Sequence, residues 1–167
     1  MHNLPDSDAL EIVVADLTCA EHQSAVGDLI DAYAADPMGA GRPLDPAVRA
    51  RLIPALRSHP TTEILLAYLE GRPVGIAVCF VGFSTFAGRP LLNVHDLAVL
   101  AKHRGRGVGR ALLAAVERRA DALQCCKVTL EVFEANPARR LYEAIGYRRV
   151  AHDEGAGGAA LFLAKPL

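Results

Sequence analysis

The stretch Lys102-His103-Arg104-Gly105-Arg106-Gly107-Val108-Gly109-Arg110 decides how the rest of this chain is read. It puts four Lys and Arg side chains, together with His103, into nine residues of a protein whose 18 Lys and Arg are balanced by 19 Asp and Glu. A strand pattern, Leu91 to Leu100, precedes it. A helical pattern follows from Val108, with Ala111, Leu112, Ala115, Val116 and Leu123 at steps of three and four. Cations at a helix N-terminus oppose the macrodipole and cost about 0.3–1 kcal/mol each when exposed. Three arginines there are unfavourable until an anion binds. Glycines let the backbone turn and approach closely, and the unpaired N–H groups of a first helical turn are donors for phosphate oxygens.

Two familiar phosphate loops fail against these letters. A Walker loop needs GxxxxGK[ST], and no lysine of the chain precedes Ser or Thr. The dinucleotide fingerprint GxGxxG needs a third glycine where Arg110 or Leu112 stands. What remains is Arg104-x-x-Gly107-x-Gly109 between a strand and a helix.

Upstream, Glu11 to Ala15 reads as a strand and Ala20 to Ala35 as a helix stopped by Asp36-Pro37. Met38 to Pro43 is a glycine-containing loop. Asp45 is a candidate N-cap, with Pro46 opening a second helix that reaches about Ser58 and Pro54 expected to kink it. Glu63 to Leu69, Pro73 to Phe83 and Leu91 to Leu100 form an antiparallel meander, with turns at Glu70-Gly71-Arg72 and at Ala87 to Pro90. Downstream, Lys127 to Phe133 alternates as a strand. Asn136-Pro137 offers a cap and first position for a helix ending near Ile145-Gly146, and a turn at Asp153 to Gly158 joins two last strands. The expectation is one mixed α/β domain with a central, mostly antiparallel sheet of about seven strands and about four helices. Residues 1–10 would be an N-terminal extension and residues 11–167 the domain.

The Arg104-x-x-Gly107-x-Gly109 loop resembles the first signature of the GNAT superfamily of acyl-CoA N-acyltransferases: Arg or Gln, two residues, Gly, one residue, then Gly or Ala. The likeness continues through Leu130-Glu131-Val132, Asn136 and Leu141-Tyr142-Glu143-Ala144-Ile145-Gly146-Tyr147, and the element order matches that fold. The resemblance implies acetyl-CoA as cofactor. Backbone N–H groups of Arg104, Gly105, Arg106, Gly107, Val108, Gly109 and Arg110 would hold its pyrophosphate, with Asn136 and Tyr142 along the pantetheine arm. The family usually has seven residues from that Asn to the Tyr, and here there are six.

Forming an amide from a thioester needs a neutral amine, an oxyanion stabiliser, a proton for the leaving thiolate and close positioning. An alkylamine has a reference pKa near 10.4, so it arrives protonated and needs a base. Asp96, His95 and Glu131 are the candidates. Strict alternation puts Asp96 on one face with Leu92, Val94 and Ala98, where burial would raise its pKa. His95 then points the other way unless a bulge intervenes, and such a bulge is familiar in the fold this chain resembles. Glu131 shares a face with Thr129 and Phe133. Tyr142, whose phenol has a reference pKa near 10, would by resemblance protonate the leaving thiolate. Backbone N–H groups of Leu97, Ala98 and Val99 would hold the donor and face its carbonyl oxygen.

Val81 to Pro90, with His95-Asp96, is similar to the diamine and polyamine acetyltransferase branch, which carries an acidic pair where this chain has His95 and Asp96. One negative charge is therefore missing, and a small primary amine of lower charge is the better expectation, with Phe83 or Phe86 against its methylenes. A peptide or protein N-terminal acetyltransferase and a non-catalytic acyl-CoA sensor remain the alternatives. A net charge of −1 gives no global field towards nucleic acid or membrane surfaces. The richest apolar stretch, Gly75 to Phe83, spans nine residues and contains two glycines, well short of the roughly 18 a membrane span needs. Residues 1–8 lack the basic and apolar regions of a secretion signal, so a cytoplasmic location is expected. Cys19, Cys79, Cys125 and Cys126 lack metal-ligand spacing and read as small buried hydrophobes, and no metal is expected. A homodimer is implied only by the resemblance.

Overall fold

The computed structural model describes residues 9–132 and 136–148. Residues up to 132 belong to one compact unit and those from 133 to another. The first begins with β1 (Glu11–Val14), α1 (Ala20–Ala35) and α2 (Pro46–Ser58), followed by the meander β2 (Thr62–Leu69), β3 (Arg72–Ser84) and β4 (Arg89–Val99). A single 3-10 turn (Ala101–His103), α3 (Val108–Ala122) and β5 (Val128–Leu130) complete it. The sheet order is β1-β2-β3-β4-β5, antiparallel except for β5, which runs parallel to β4. α3 makes the crossover that a parallel neighbour requires.

Alternation along the strands sorts apolar side chains onto two faces. Leu65, Ala67, Val74, Ala77, Cys79, Leu92 and Val94 pack with Val108, Leu112 and Val116 of α3. Ile64, Leu66, Ile76 and Val78 pack with Val26 and Leu29 of α1 and Leu56 of α2. Each Val, Leu or Ile among them contributes about 1.5–3 kcal/mol when fully buried. The sheet is thus a layer between α3 and the α1–α2 pair. α3 packs tightly at Gly75, where an added Cβ would meet Ala98 O and Leu112 Cδ1 at 3.1 Å and Val108 Cγ1 at 3.2 Å.

Local signals act as expected. Asp45 Oδ1 accepts the Ala47 N–H at 2.8 Å and Pro46 occupies the first turn of α2. Glu70 and Gly71 have φ of 52° and 69°, as a two-residue hairpin turn of type I′ demands. Pro54 lies inside α2. Several expectations need adjustment. β4 begins at Arg89 rather than Leu91, and β5 covers only Val128–Leu130. Of the cysteines only Cys79 is buried; Cys19, Cys125 and Cys126 are partly exposed, and all four are free. Leu10, assigned to the extension, packs on the α3-side core. The two last strands and their turn lie outside the described residues. Among the described residues the sheet therefore has five strands.

In the second unit, α4 (Arg139–Ala144) starts two residues later than the Asn136-Pro137 pair suggests. The preceding residues form tight turns, with Arg139 N–H on Asn136 O at 3.1 Å and Arg140 N–H on Pro137 O at 3.3 Å. The mixed α/β class stands, and among the described residues no helix is long and apolar enough to cross a membrane.

Candidate active site

The glycine loop presents a row of open donors. Gly105 and Gly107 have φ of 73° and 83°, a conformation that costs a side-chain-bearing residue about 1–2 kcal/mol. Gly107 is the N-cap residue of α3 and has no side chain with which to cap it. Ala111 N–H, bonded to Gly107 O at 3.0 Å, is the first of α3 to find a carbonyl. Among the described residues no acceptor meets the N–H groups of Gly105, Arg106, Gly107, Val108, Gly109 and Arg110. Donors on two left-handed glycines and a first helical turn fit a phosphate. Arg104 behaves differently. Its N–H is used on Ala101 O at 3.3 Å and its guanidinium on Val99 O and Asp36, so the open row starts one residue later than expected.

β4 carries a bulge that overturns strict alternation. Cys79 pairs with Val94 and Val78 with Asp96, which leaves His95 as the extra residue. Leu92 and Val94 face α3, whereas Asp96, opposite Val78, and Ala98, opposite Ile76, face α1 and α2. Asp96 therefore does not share a face with Leu92 and Val94. His95 shares its face instead. Its ring meets Phe80 edge to face with centroids 5.6 Å apart, and Phe80 meets His59 likewise at 5.0 Å.

β4 and β5 pair only from Leu92↔Val128 to Val94↔Leu130, so beyond the bulge the β5-side edge of β4 takes no ladder bonds among the described residues. Leu100 N–H reaches Val74 O on β3 at 2.9 Å. By alternation Ala98 N–H also points to β3, while those of Leu97 and Val99 point to the open edge. The Val99 carbonyl, which accepts from Arg104 Nε at 2.9 Å, confirms that direction. Of the three expected donors, Ala98 is thus committed to the β3 ladder.

The three candidate bases lie on one face but in different surroundings. Asp96 is half-buried, and desolvation holds its carboxyl above the usual range, partly offset by the neighbouring His95. Glu131 is exposed and takes weak hydrogen bonds from Asn93 Nδ2, at 3.5 Å on Oε1 and 3.4 Å on Oε2; the same amide donates to Thr129 Oγ1 at 3.1 Å. His95 is exposed. Tyr33 of α1 is raised by burial and then by the charges of Asp96 and Asp36. Phe83 and Phe86 are largely exposed at the tip of the β3–β4 hairpin. Phe80 is the aromatic beside His95.

In the second unit, Asn136 Oδ1 accepts the Ala138 N–H at 2.9 Å, which fixes the start of the helical turn. Tyr142 is buried on α4, its ring 6.1 Å from that of Tyr147. A cavity of about 280 Å³ lies between the β2–β3 turn and the 3-10 turn, lined by residues including Arg72, Lys102, His103 and Arg106. Neither Asp96 nor Glu131 lines it. The Cys79 thiol is pushed up to about 12 by burial, which removes it as a nucleophile.

Asp36, Asn93, Phe80 and His59 escaped the sequence reading. Asn93 and Phe80 stand opposite one another in the β3–β4 register, a pairing that alternation and the hairpin turn together could have revealed. The Asp36 contact spans 68 positions and leaves no local signal.

Residues 28–147 match the model of the Acetyltransferase (GNAT) family. The aminoglycoside N-acetyltransferase AAC(6')-Iy in complex with CoA aligns at TM-score 0.73 and 17% identity, over 99% of this chain and 100% of its own. A ribosomal-protein-alanine N-acetyltransferase from Brucella melitensis biovar Abortus 2308 gives TM-score 0.69 at 20% identity, over 94% of this chain and 99% of its own. A possible acetyltransferase from Clostridium difficile 630 gives 0.76 at 14%, over 95% and 98% respectively. At such identities the structural likeness speaks for the fold alone. No curated protein matches the chain in sequence.

Proposed function

Because the chain belongs to the acetyltransferase (GNAT) family, an acetyl-CoA-dependent class, we propose that it acetylates the primary amine of a small molecule by direct attack on the thioester. Acetyl-CoA supplies the activated acetyl group. In this reading the N–H row from Gly105 to Arg110 holds the diphosphate, and the Leu97 and Val99 N–H groups line the arm and the carbonyl. Asp96 takes the proton of the incoming ammonium. The neutral amine nitrogen then bonds to the acetyl carbon as the C–S bond breaks, and the second proton that the nitrogen sheds on becoming an amide replaces the one that Tyr142 gives up. Tyr142 gives the departing sulfur its proton, the role implied by its Leu-Tyr-Glu context.

The observation that carries the proposal is the bulge at His95, which puts a half-buried carboxylate with a raised pKa on the same face as Asn93 and Glu131. An ammonium ion satisfies that carboxylate, and a carboxylate raised towards neutrality is the better base for it. Only one acidic side chain stands at the bulge, which favours a substrate of low charge over a polyamine.

Mass spectrometry of products from acetyl-CoA with a mixture of small primary amines, polyamines and short peptides tests the proposal. It expects acetylated small amines, and a strong loss of product with Tyr142→Phe. Acetylation confined to peptide N-termini would overturn it in favour of a protein acceptor. Binding of CoA with no product from any amine would overturn it in favour of a sensor.

A further inference from the structure

One ion pair joins the glycine loop to the end of α1. Arg104 Nη2 lies 2.6 Å from Asp36 Oδ2, while Arg104 Nε donates to the Val99 carbonyl at 2.9 Å. The Arg104 N–H closes the 3-10 turn on Ala101 O. A single residue thereby holds together the loop that opens α3, the end of β4 and the end of α1. The guanidinium fork suits this task, because two of its nitrogens serve two acceptors at once, which an ammonium on a single stem does not reproduce.

Asp36 is divided in the same way. Its Oδ1 accepts the Met38 N–H at 2.9 Å, and its carbonyl accepts the N–H groups of Gly39 and Gly41 at 2.9 and 3.2 Å. It therefore shapes the segment 37–45 between α1 and α2. The Met38 N–H and the Arg104 guanidinium hold its carboxyl below the ordinary aspartate range. One helical turn back stands Tyr33, which feels the charges of both Asp96 and Asp36. Asp36 thus joins the arginine of the loop to α1, a helix that packs on the sheet face carrying Asp96.

We infer that Arg104 and Asp36 are positioning residues through which occupation of the loop by the acetyl donor sets the 37–45 segment, which joins the two helices covering the Asp96 face. The inference rests on the loop being the donor site. Phosphate on the Gly105 to Arg110 N–H groups fixes the loop backbone, and with it the guanidinium that holds Asp36. Linkage makes the coupling reciprocal, so ordering of the segment tightens the hold on the donor.

Hydrogen exchange of individual amides, with and without CoA, tests this. In the wild type CoA slows exchange at 105–110 and also at Met38, Gly39 and Gly41. Asp36→Asn retains the Oδ1 acceptor for Met38 and removes the charge. Arg104→Lys retains the charge and removes the fork. In both variants CoA still slows exchange at 105–110, while the slowing at 38–41 is lost. Arg104→Gln, which keeps a donor for Val99, replaces Arg104→Lys if that variant does not fold. Equal slowing at 38–41 in wild type and variants would overturn the inference, as would protection of 105–110 alone in the wild type. If CoA leaves 105–110 unchanged in the wild type, the donor-loop reading itself fails, and the inference with it.

Discussion

Asp96 stands opposite Val78 across β3 and β4, on the face covered by α1 and α2, although Leu92 and Val94 of its own strand face α3. One extra residue, His95, produces that change of face. Without it the carboxylate would be directed into the apolar contact between the sheet and α3, with neither an acceptor amine nor water to stabilise its charge. The bulge thus puts the acid group on the face that carries Asn93 and Glu131.

The raised carboxyl of Asp96 gives the reaction a pH dependence. In the proposed reaction its charged form is the base, and burial holds its pKa above the ordinary aspartate range. The acid limb of kcat/KM therefore falls at a pH above the reference value near 3.9. Asp96→Asn removes that limb and lowers kcat by about 10²–10⁴-fold, the usual contribution of a general base. Rate profiles of the two proteins check both statements.

The same group affects stability with a definite sign. A carboxyl whose pKa is raised on folding binds its proton more tightly in the folded state. The stabilisation is complete below the unfolded pKa and is lost as pH rises through the folded one. At neutral pH the ionised Asp96 therefore destabilises the fold, and Asp96→Asn is more stable than the wild type. Urea midpoints at pH 7 and near pH 4 show that advantage narrowing as pH falls.

Two glycines separate packing from ligand binding. At Gly107 a Cβ has open space around it but the φ of 83° is strained for any side chain, so Gly107→Ala disturbs the N–H row and weakens CoA binding by about tenfold, the equivalent of about 1.4 kcal/mol. At Gly75 a Cβ meets backbone and core side chains at 3.1–3.2 Å. Gly75→Ala costs about 1–3 kcal/mol of stability through overpacking and leaves the CoA affinity of the folded fraction unchanged. Titration calorimetry and denaturant unfolding distinguish the two.

Away from the site, Arg119 of α3 grips Glu63 of β2 with Nε on Oε2 at 2.8 Å and Nη2 on Oε1 at 3.0 Å. Arg119→Ala leaves a mostly buried carboxylate unpaired and lowers stability by about 1 kcal/mol. Arg119→Ala combined with Glu63→Gln recovers part of that loss in the same unfolding assay, and CoA affinity does not change.

The residues from 102 to 110 were legible because their chemistry is local: glycines at positive φ, cations at a helix start and no capping side chain. The same holds for α1, α2, α3 and the β2–β3 turn, whose periodicity, stop residues or turn residues lie in adjacent letters, with a side-chain cap for α2 alone among the three helices. The bulge was not legible, because Leu91 to Val99 satisfies period two with or without an extra residue, and only the register with β3 decides. The start of α4 was misread because Asn136 caps a tight turn with the chemistry it would use to cap a helix. Contacts such as Asp36 with Arg104 arise from the fold as a whole, and no spacing rule connects them.

The most direct test measures thiol release from acetyl-CoA in the presence of a small primary amine, for wild type and Asp96→Asn, with CoA binding determined in parallel. The account predicts turnover by the wild type, near-complete loss in the variant and equal CoA affinity in both. Full activity of the Asp96→Asn protein on the same amine would contradict the assignment of this carboxylate as the base.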